Sequence, residues 1–195
     1  MKLLACPKCH QQLHLENKTL KCENNHCYDI SKRGYINLLL NPDKATNNPG
    51  DSKESLVARK AYLNKGYYDP ILNQVITCID EFKHQDDLSI LDLGCGEGYY
   101  TQGLKKHFEN SDVYGLDISK IAIDMATRYR KDITWLVGNS KNIPILDHSL
   151  DFICALFTVV NQDELKRALK EDGYIVHVTA NNQHLIEIKE LIYDE

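Results

Sequence analysis

From residue 88 onward, short apolar runs alternate with longer segments in which apolar residues recur at helical spacing. Short runs of this kind predict strands, and the longer spaced segments predict helices. The predicted strands are residues 89–93, 113–116, 133–137, 152–157 and 174–178. The predicted helices are residues 99–108, 119–130, 162–170 and 183–193. Repeated strand–helix units predict an α/β fold, with a parallel sheet that carries helices on both faces.

The chain before residue 88 has a different character. Residues 41–51 are rich in turn-forming residues and poor in apolar ones, which predicts a linker or an exposed loop. Asp51 and Glu54 have the spacing of a helix cap, so we expect a helix from there to about Lys65. Pro70 is expected to open a second helix.

Composition and charge narrow the class of protein. The 195 residues are 43% hydrophobic and 26% charged, as in a folded globular chain rather than a disordered one. Residues 1–66 carry a net charge of +5, whereas residues 67–195 carry −10. A basic front on an acidic body favours contact between the front and a polyanion, with chance surface charge as the alternative.

Nothing in the sequence predicts a membrane protein. No apolar run approaches the roughly 18 residues that a spanning helix needs. The apolar stretch at the start is only Leu3, Leu4 and Ala5, far shorter than the roughly 7–15 residues of a signal-peptide core. We therefore predict a cytoplasmic protein with no membrane partner.

Cysteines are concentrated at the start of the chain. Four of the seven, Cys6, Cys9, Cys22 and Cys27, lie within the first 27 residues. Disulfide frameworks are rare in cytosolic proteins, so a metal site is the natural alternative. The spacing C-x2-C-x12-C-x3-H can place two knuckles around a tetrahedral ion, for which zinc is the default. A strand-and-turn module of about 30 residues also has too little core to fold without such an ion. The sequence predicts one structural zinc ion.

The fourth ligand of this site is open on spacing alone. His26 gives the shorter knuckle, whereas Cys27 would give a site of four sulfurs. His10 and His14 are further candidates, but both lie outside the knuckles.

A glycine-rich loop joins the first predicted strand of the α/β region to its helix. It contains Asp92, Gly94, Gly96, Glu97 and Gly98. Glycines let the backbone turn tightly and approach a ligand closely. A dinucleotide site requires G-x-G-x-x-G, whereas this loop has G-x-G-x-G and an acidic residue that would repel a pyrophosphate. The cationic sulfonium of S-adenosylmethionine suits the acidic loop better than NAD does.

Other residues are expected to complete the cofactor site. Asp117 ends the next predicted strand, where a carboxylate can accept hydrogen bonds from ribose hydroxyls. Asn139 and Ser140 follow the third strand, in a loop suited to an adenine pocket. Cys95 and Cys154 are expected to be packed thiols rather than nucleophiles, because methyl transfer needs no covalent intermediate.

These residues resemble one family in particular, the bacterial large-subunit (23S) ribosomal RNA guanine-N1 methyltransferases of the RlmA type, which include the tylosin-resistance methyltransferases. The similarity runs along nearly the whole chain. Its most specific part is the zinc ribbon joined to Gly-Tyr-x-Asn-Leu-Leu at residues 34–39. The matching segments also include Asp29, Lys32, Pro49-Gly50-Asp51-Ser52, Ala58-Arg59, residues 92–101, residues 115–120 and residues 184–193.

The resemblance implies a class I, Rossmann-like methyltransferase with an N-terminal zinc ribbon, active on N1 of one guanine in a hairpin of large-subunit rRNA. It implies zinc held by Cys6, Cys9, Cys22 and His26, and cofactor contacts at Tyr68, Gly96, Glu97 and His184. It also implies a homodimer and, in some members, antibiotic resistance. We accordingly expect an RNA-recognition module at residues 1–36, a linker with helices at 37–87 and the methyltransferase domain at 88–195.

The sequence departs from the family pattern in three places. Residues 170–173 replace the usual Lys-Pro-Gly-Gly turn, and residues 156–161 lack the usual proline-containing stretch beside the methyl donor. Family members continue past the position of Glu195, so we expect the methyltransferase domain to be incomplete at its C-terminus.

Phosphate contacts are expected from basic side chains of the front module, namely Lys8, Lys18, Lys21, Lys32 and Arg33. A solvated basic face is the alternative for each of them. Two other functions compete with rRNA methylation. A small-molecule methyltransferase would leave the zinc ribbon without a task, and a non-enzymatic RNA-binding relic would have lost its catalytic end.

Overall fold

The computed structural model describes residues 1–40, 50–128, 130–181, 183 and 186. Its centre is a sheet of six parallel strands in the order β4-β7-β6-β5-β8-β9. The strands are β4 (Ile36–Asn37), β5 (Ser89–Leu93), β6 (Asp112–Asp117), β7 (Thr134–Val137), β8 (Leu150–Leu156) and β9 (Leu169–Val178). Because all six run the same way, their carboxyl ends meet at one edge of the sheet.

Five helices connect or flank these strands in the described residues. They are α1 (Lys53–Leu63), α2 (Asp69–Phe82), α3 (Tyr99–His107), α4 (Lys120–Ala126) and α5 (Gln162–Ala168). The cap of α1 is Ser52 rather than the expected Asp51, since the hydroxyl of Ser52 accepts from the backbone N–H of Ser55. Pro70 lies in the first turn of α2, as expected.

The first 29 residues form a small antiparallel sheet of three strands, β1 (His14–Glu16), β2 (Thr19–Lys21) and β3 (Cys27–Asp29). We call residues 1–35 the ribbon. It is joined to the rest of the fold at both of its ends, to the loop after β7 and to β7 itself. The backbone of Ala5 donates to Pro144 O at 3.0 Å, and β4 pairs directly with β7.

Two hydrophobic cores lie on opposite faces of the large sheet. On one face, the ribbon residues Leu4, Leu13 and Leu20 pack with Leu116 of β6 and Leu165 of α5. On the other face, α2, α3 and α4 supply the buried residues Val75, Ile79, Leu104 and Ile123. The ribbon therefore covers part of the sheet and shares its core.

This arrangement refines the expectation of a module with little core of its own. The ribbon's apolar residues are few, but they belong to a cluster that spans both parts of the chain. Cys95 and Cys154 are both buried free thiols, which confirms that they are packed.

The predicted sheet and its strand order along the chain are correct, but several boundaries are wrong. The second helix of the α/β region ends at Ala126 rather than 130, and the third ends at Ala168 rather than 170. Strand β9 begins at Leu169 rather than 174, because residues 170–173 form an irregular excursion in its pairing with β8. The predicted helix 183–193 lies almost wholly outside the described residues.

The sixth strand, β4, is missing from the sequence-based prediction. Its two residues carry no recognisable strand pattern, and only their pairing with Leu136 and Val137 makes them part of the sheet. In the described residues β4 and β9 are the two edges of the sheet.

Candidate functional site

The four predicted zinc ligands come together in one cluster of the ribbon. The Nδ1 atom of His26 lies 3.4 Å from the Sγ atom of Cys6 and 3.5 Å from those of Cys9 and Cys22. The Sγ atoms of Cys9 and Cys22 are 3.7 Å apart. All four donor atoms lie within 4.8 Å of one another.

These distances fit a tetrahedral zinc ion. Zinc bonds of about 2.3 Å to sulfur and about 2.0–2.1 Å to nitrogen put neighbouring ligand atoms about 3.6–3.8 Å apart. Three thiolates and one imidazole are also the donor set of a closed structural site. Hydrogen bonding, first from the backbone of Gln11, lowers the pKa of the Cys9 thiol to about 6, which favours the thiolate that a metal needs.

The remaining candidates for the fourth ligand lie elsewhere. Cys27 is exposed, and its thiol donates to the backbone carbonyl of Asn25 at 3.4 Å. His10 and His14 are exposed and are not in the cluster. Among the described residues the geometry thus favours His26.

The zinc cluster is tied to the loop after β7. The side-chain amide of Asn142 donates to the carbonyl of Pro7, between Cys6 and Cys9, at 2.9 Å. The same loop contains Asn139 and Ser140. It is held from its other side by Arg167, whose guanidinium donates to the carbonyls of Ile143 and Ile145.

The glycine-rich loop turns sharply between β5 and α3. Gly94, Gly96 and Gly98 have φ angles of +74°, +56° and +87°, which side chains with a Cβ rarely adopt. Gly98 also has no room for a Cβ, because one would lie 2.6 Å from the buried ring of Trp135. The backbone of the loop therefore lies close to the open space at the carboxyl edge of the sheet.

Asp117 holds this loop from the end of β6. Its carboxylate accepts from the backbone N–H of Gly96 at 2.8 Å and from that of Ser119 at 2.7 Å. Burial raises the pKa of Asp117, although the two hydrogen bonds act in the opposite direction. The side chain is at once a brace for the loop and a hydrogen-bond acceptor at the edge of the cavity.

Two further carboxyl groups are buried beside it. Burial, with smaller contributions from the charges of Asp117 and Glu97, raises the pKa of Asp92 to about 7, and the Thr101 hydroxyl donates to Asp92 at 2.5 Å. Burial also raises the pKa of Glu97. The Oε1 atom of Glu97 is buried and has no hydrogen-bond partner among the described residues. An unpaired buried carboxylate oxygen favours a ligand that brings a positive charge or a donor.

A cavity of about 550 Å³ opens at this edge of the sheet. Such a volume is in the range of small-molecule and cofactor sites. Six of the predicted cofactor residues line it: Tyr68, Asp92, Gly94, Gly96, Glu97 and Asp117. Gly98 does not line the cavity and packs instead against Trp135. Asn139 and Ser140 are not among its lining residues, and His184 lies outside the described residues.

Sequence reasoning did not assign Arg59 or Tyr62 of α1 to the cavity wall. Arg59 lines it and forms an ion pair with Asp51 at 2.6 Å. Leu156, Phe157 and Thr158 line it from the end of β8, in the segment 156–161 that the resemblance placed beside the methyl donor. The rule that ligands bind beyond the carboxyl ends of parallel strands also favours these three.

The basic residues of the ribbon are dispersed over its surface. Lys8, Lys18 and Lys32 are exposed, and Lys21 is partly buried. Arg33 is exposed but forms an ion pair with Asp124 of α4 at 2.9 Å. Its charge is therefore partly satisfied within the protein.

Comparison with known families bears on both parts of the chain. Residues 4–45 match the family described as "RlmA, N-terminal", a zinc ribbon, and residues 90–173 match a family described as "Methyltransferase domain". YxjB of Bacillus subtilis, provisionally named a 23S rRNA (guanine-N(1)-)-methyltransferase, is 30% identical over 99% of this chain and 70% of its own length. The chain belongs to the family of 23S rRNA guanine-N1-methyltransferases.

A second relative is the 23S rRNA (guanine(748)-N(1))-methyltransferase of Streptomyces fradiae, which is 29% identical over 96% of this chain and 67% of its own length. These matches confirm the family that the motifs predicted. The family's class I methyltransferase fold with an N-terminal zinc ribbon is confirmed as well.

Solved structures agree on the fold. The plantazolicin methyltransferase BpumL, in complex with SAH, has a TM-score of 0.57 at 21% identity and aligns with 73% of this chain and 58% of its own. DesVI of Streptomyces venezuelae has a TM-score of 0.54 at 20% identity, over 67% of this chain and 59% of its own. Among the described residues, no helix has the length and apolar character needed to span a bilayer.

Proposed function

We propose that this protein transfers the methyl group of S-adenosylmethionine to N1 of a guanine in a hairpin of large-subunit rRNA. The observation that carries the proposal is the combination, in one chain of this family, of the zinc cluster with an acidic cavity at the carboxyl edge of the sheet. S-adenosylmethionine would supply an activated methyl group on a positively charged sulfur.

The cavity residues fit this cofactor. Asp117 would accept hydrogen bonds from the ribose hydroxyls, as acidic residues at the end of the second strand do in related nucleotide sites. The unpartnered oxygen of Glu97 and the carboxyl of Asp92 would face the cationic part of the cofactor. Tyr68, Gly94 and Gly96 would shape the wall around it, and Gly98 would set the turn from the loop into α3.

The protein's contribution to the reaction is positioning and proton removal. In-line transfer requires the attacking nitrogen and the methyl group to be held at near-attack distance, which the rigid glycine loop and the strand ends favour. The N1 atom of neutral guanine carries a proton, so a base or a local field must remove it. A carboxylate of the acidic cavity would accept this proton as a base, and the resemblance identifies no single residue for that role.

The ribbon would serve RNA recognition. One zinc ion held by Cys6, Cys9, Cys22 and His26 would fix its fold, while Lys8, Lys18, Lys21, Lys32 and Arg33 would contact phosphates. Adenine contacts at Asn139 and Ser140, a contact of His184 with the cofactor, homodimer formation and a role in antibiotic resistance all stay predictions. So do the cytoplasmic location and the three-part division of the chain.

The decisive experiment uses zinc-loaded protein, radiolabelled S-adenosylmethionine and deproteinised large-subunit RNA, followed by nucleoside analysis. Label in N1-methylguanosine is the expected result. Label in a different nucleoside would overturn the assignment of the methylated atom. RNA binding that neither transfers label nor depends on the cofactor would favour the binding-only alternative, and the absence of RNA binding would favour a small-molecule substrate.

A further inference from the structure

Four aromatic side chains are grouped around the mouth of the cofactor cavity. We call Tyr62, Tyr67, Tyr68 and Phe157 the aromatic rim. The ring centroids of Tyr62 lie 5.0 Å from Tyr67 and 6.0 Å from Tyr68, and those of Tyr68 and Phe157 are 6.2 Å apart. Tyr62, Tyr68 and Phe157 also line the cavity itself. The rim therefore links the cavity to the protein surface.

The rim is more exposed than packing would require. Tyr62, Tyr67 and Phe157 are 50%, 60% and 47% exposed. Aromatic side chains usually bury most of their surface, so a contiguous group of exposed rings marks a binding surface. Because these rings surround the entrance of the cavity, their occupant would reach the reaction centre directly.

The backbone fixes Phe157 in this position. Its φ angle is +55°, which is uncommon for a residue with a bulky side chain. Its N–H donates to the carbonyl of Val178 at the end of β9, at 2.9 Å. The next residue, Thr158, packs against Gly94, where a Cβ would lie 2.4 Å from its hydroxyl oxygen. The backbone that carries the ring is thus fixed by the contacts of residues 157 and 158.

Charge identifies which part of an RNA would fit. The cavity wall contains Asp51, Asp92, Glu97 and Asp117, and the guanidinium of Arg59 in the same wall is paired with Asp51. A phosphate would be repelled there, whereas a neutral purine base would not. Single-stranded bases are commonly held by stacking on aromatic side chains.

We infer that the aromatic rim, and Phe157 in particular, stacks on the target guanine as it enters the cavity from an unpaired part of the RNA. The inference rests on the proposed function and adds the residues that hold the base. It assigns the segment 156–158, which departs from the family pattern, a direct contact with the substrate.

The kinetic test compares Phe157→Leu with Phe157→Tyr. Loss of the ring should lower kcat/KM for large-subunit RNA about tenfold, mainly through a higher KM. A loss of this size is expected when one base no longer stacks on an aromatic side chain. The tyrosine variant should retain wild-type kinetics. The affinity for S-adenosylhomocysteine, measured by calorimetry, should change much less than the KM for RNA in the Phe157→Leu variant, because the stacked base and not the cofactor is the proposed occupant of the ring. Phe82→Leu is the matched control, because Phe82 is 45% exposed and lies near the opposite ends of the strands.

A second measurement does not depend on methyl transfer. Phe157→Trp places an indole on the rim, while the natural Trp135 is buried and serves as the baseline. Titration of this variant with deproteinised large-subunit RNA, in the presence of S-adenosylhomocysteine, should quench the added fluorescence as the base stacks on it.

Two results would overturn the inference. One is RNA retention on a filter with no change in the added fluorescence. The other is a Phe157→Leu variant with the KM of the unmodified protein. If the unmodified protein transfers no methyl group, the proposed function fails on that ground, and stacking is still judged separately by the fluorescence titration.

Discussion

The zinc cluster and the cofactor cavity illustrate two ways of building a binding site. In the cluster, the four donor atoms already lie at the separations that a tetrahedral ion needs, and the protein fills every position. In the cavity, a large volume remains open, and the Oε1 atom of Glu97 is buried without a hydrogen-bond partner among the residues that the structure describes. The first arrangement suits a permanent structural ion, and the second suits a ligand that must enter and leave.

The comparison also shows a difference in how each site depends on the fold. A short segment of the chain is enough to assemble the cluster, since its four ligands lie within residues 6–26. The cavity requires side chains from α1, α3, β5, β6 and β8, and from the segments that connect them. We therefore expect defects in the cluster to act on folding and defects in the cavity to act on binding.

The largest effect is expected from Cys22→Ser. Replacing one thiolate should abolish tight zinc binding and unfold the ribbon, because the binding energy of a structural zinc ion is also folding energy. Zinc content measured by mass spectrometry should fall to background, and the melting temperature should drop by about 10 °C or more. Full zinc occupancy in this variant would contradict the proposed ligand set.

A smaller effect, confined to binding, is expected from Asp117→Ala. Loss of the carboxylate would remove the proposed ribose contact and the hydrogen bonds to Gly96 and Ser119. Affinity for S-adenosylmethionine should fall about 100-fold, as expected for charge-assisted hydrogen bonds, with zinc content unchanged. Calorimetry would measure the affinity for S-adenosylmethionine, and mass spectrometry would measure the zinc content. Asp112→Ala is the control, because Asp112 lies exposed at the start of the same strand. Equal losses in the two variants would argue against a specific role.

The pH dependence of stability should reveal the buried carboxyl of Asp92. Its pKa is about 7 in the folded protein and 3.8 ordinarily, so the folded state retains a proton that the unfolded state releases. The free energy of unfolding should therefore fall as the pH rises from about 4 to about 7, by an amount on the order of 2–4 kcal/mol. Asp92→Asn should remove this part of the slope, as measured by urea unfolding without cofactor.

Burial also raises the pKa of Asp117 and of Glu97. The free energy of unfolding of the Asp92→Asn variant should therefore still fall with rising pH, but less steeply. A slope identical to that of the unmodified protein would mean that Asp92 is ionised throughout this range.

The smallest effect is expected from Cys27→Ser. Its exposed thiol lies outside the cluster, so zinc content and melting temperature should match those of the unmodified protein within error. This variant is also the matched control for Cys22→Ser. A loss of zinc on replacing Cys27 would instead support a site of four sulfurs.

The local features of this protein could be predicted from its sequence. The zinc knuckles and the glycine loop are recognisable in the sequence because a metal site and a tight turn each need particular residue types at fixed spacing. The strands of the α/β region were recognisable from their apolar runs. Strand β4 was not, because two residues cannot show a period and their role is set by their partner in the sheet.

The missed residues of the cavity have a similar explanation. Arg59 and Tyr62 of α1 lie far from Phe157 in the sequence and meet it only at the end of the sheet. Asn139 and Ser140 do not line the cavity, and their contact with an adenine stays a prediction from their position after β7. The same loop also contacts the ribbon, where the side-chain amide of Asn142 donates to the carbonyl of Pro7.

The ribbon's double attachment has a consequence for protein engineering. Its start is hydrogen-bonded to the segment around Pro144, and its end runs directly into β4 of the large sheet. Cutting the chain at residue 36 would separate the ribbon from β4. It would also expose the apolar face of the large sheet that Leu4, Leu13 and Leu20 of the ribbon cover. The ribbon alone is therefore a poor unit for transfer into another protein. Exchanges between homologues should keep it together with the loop at residues 142–146 and with β7.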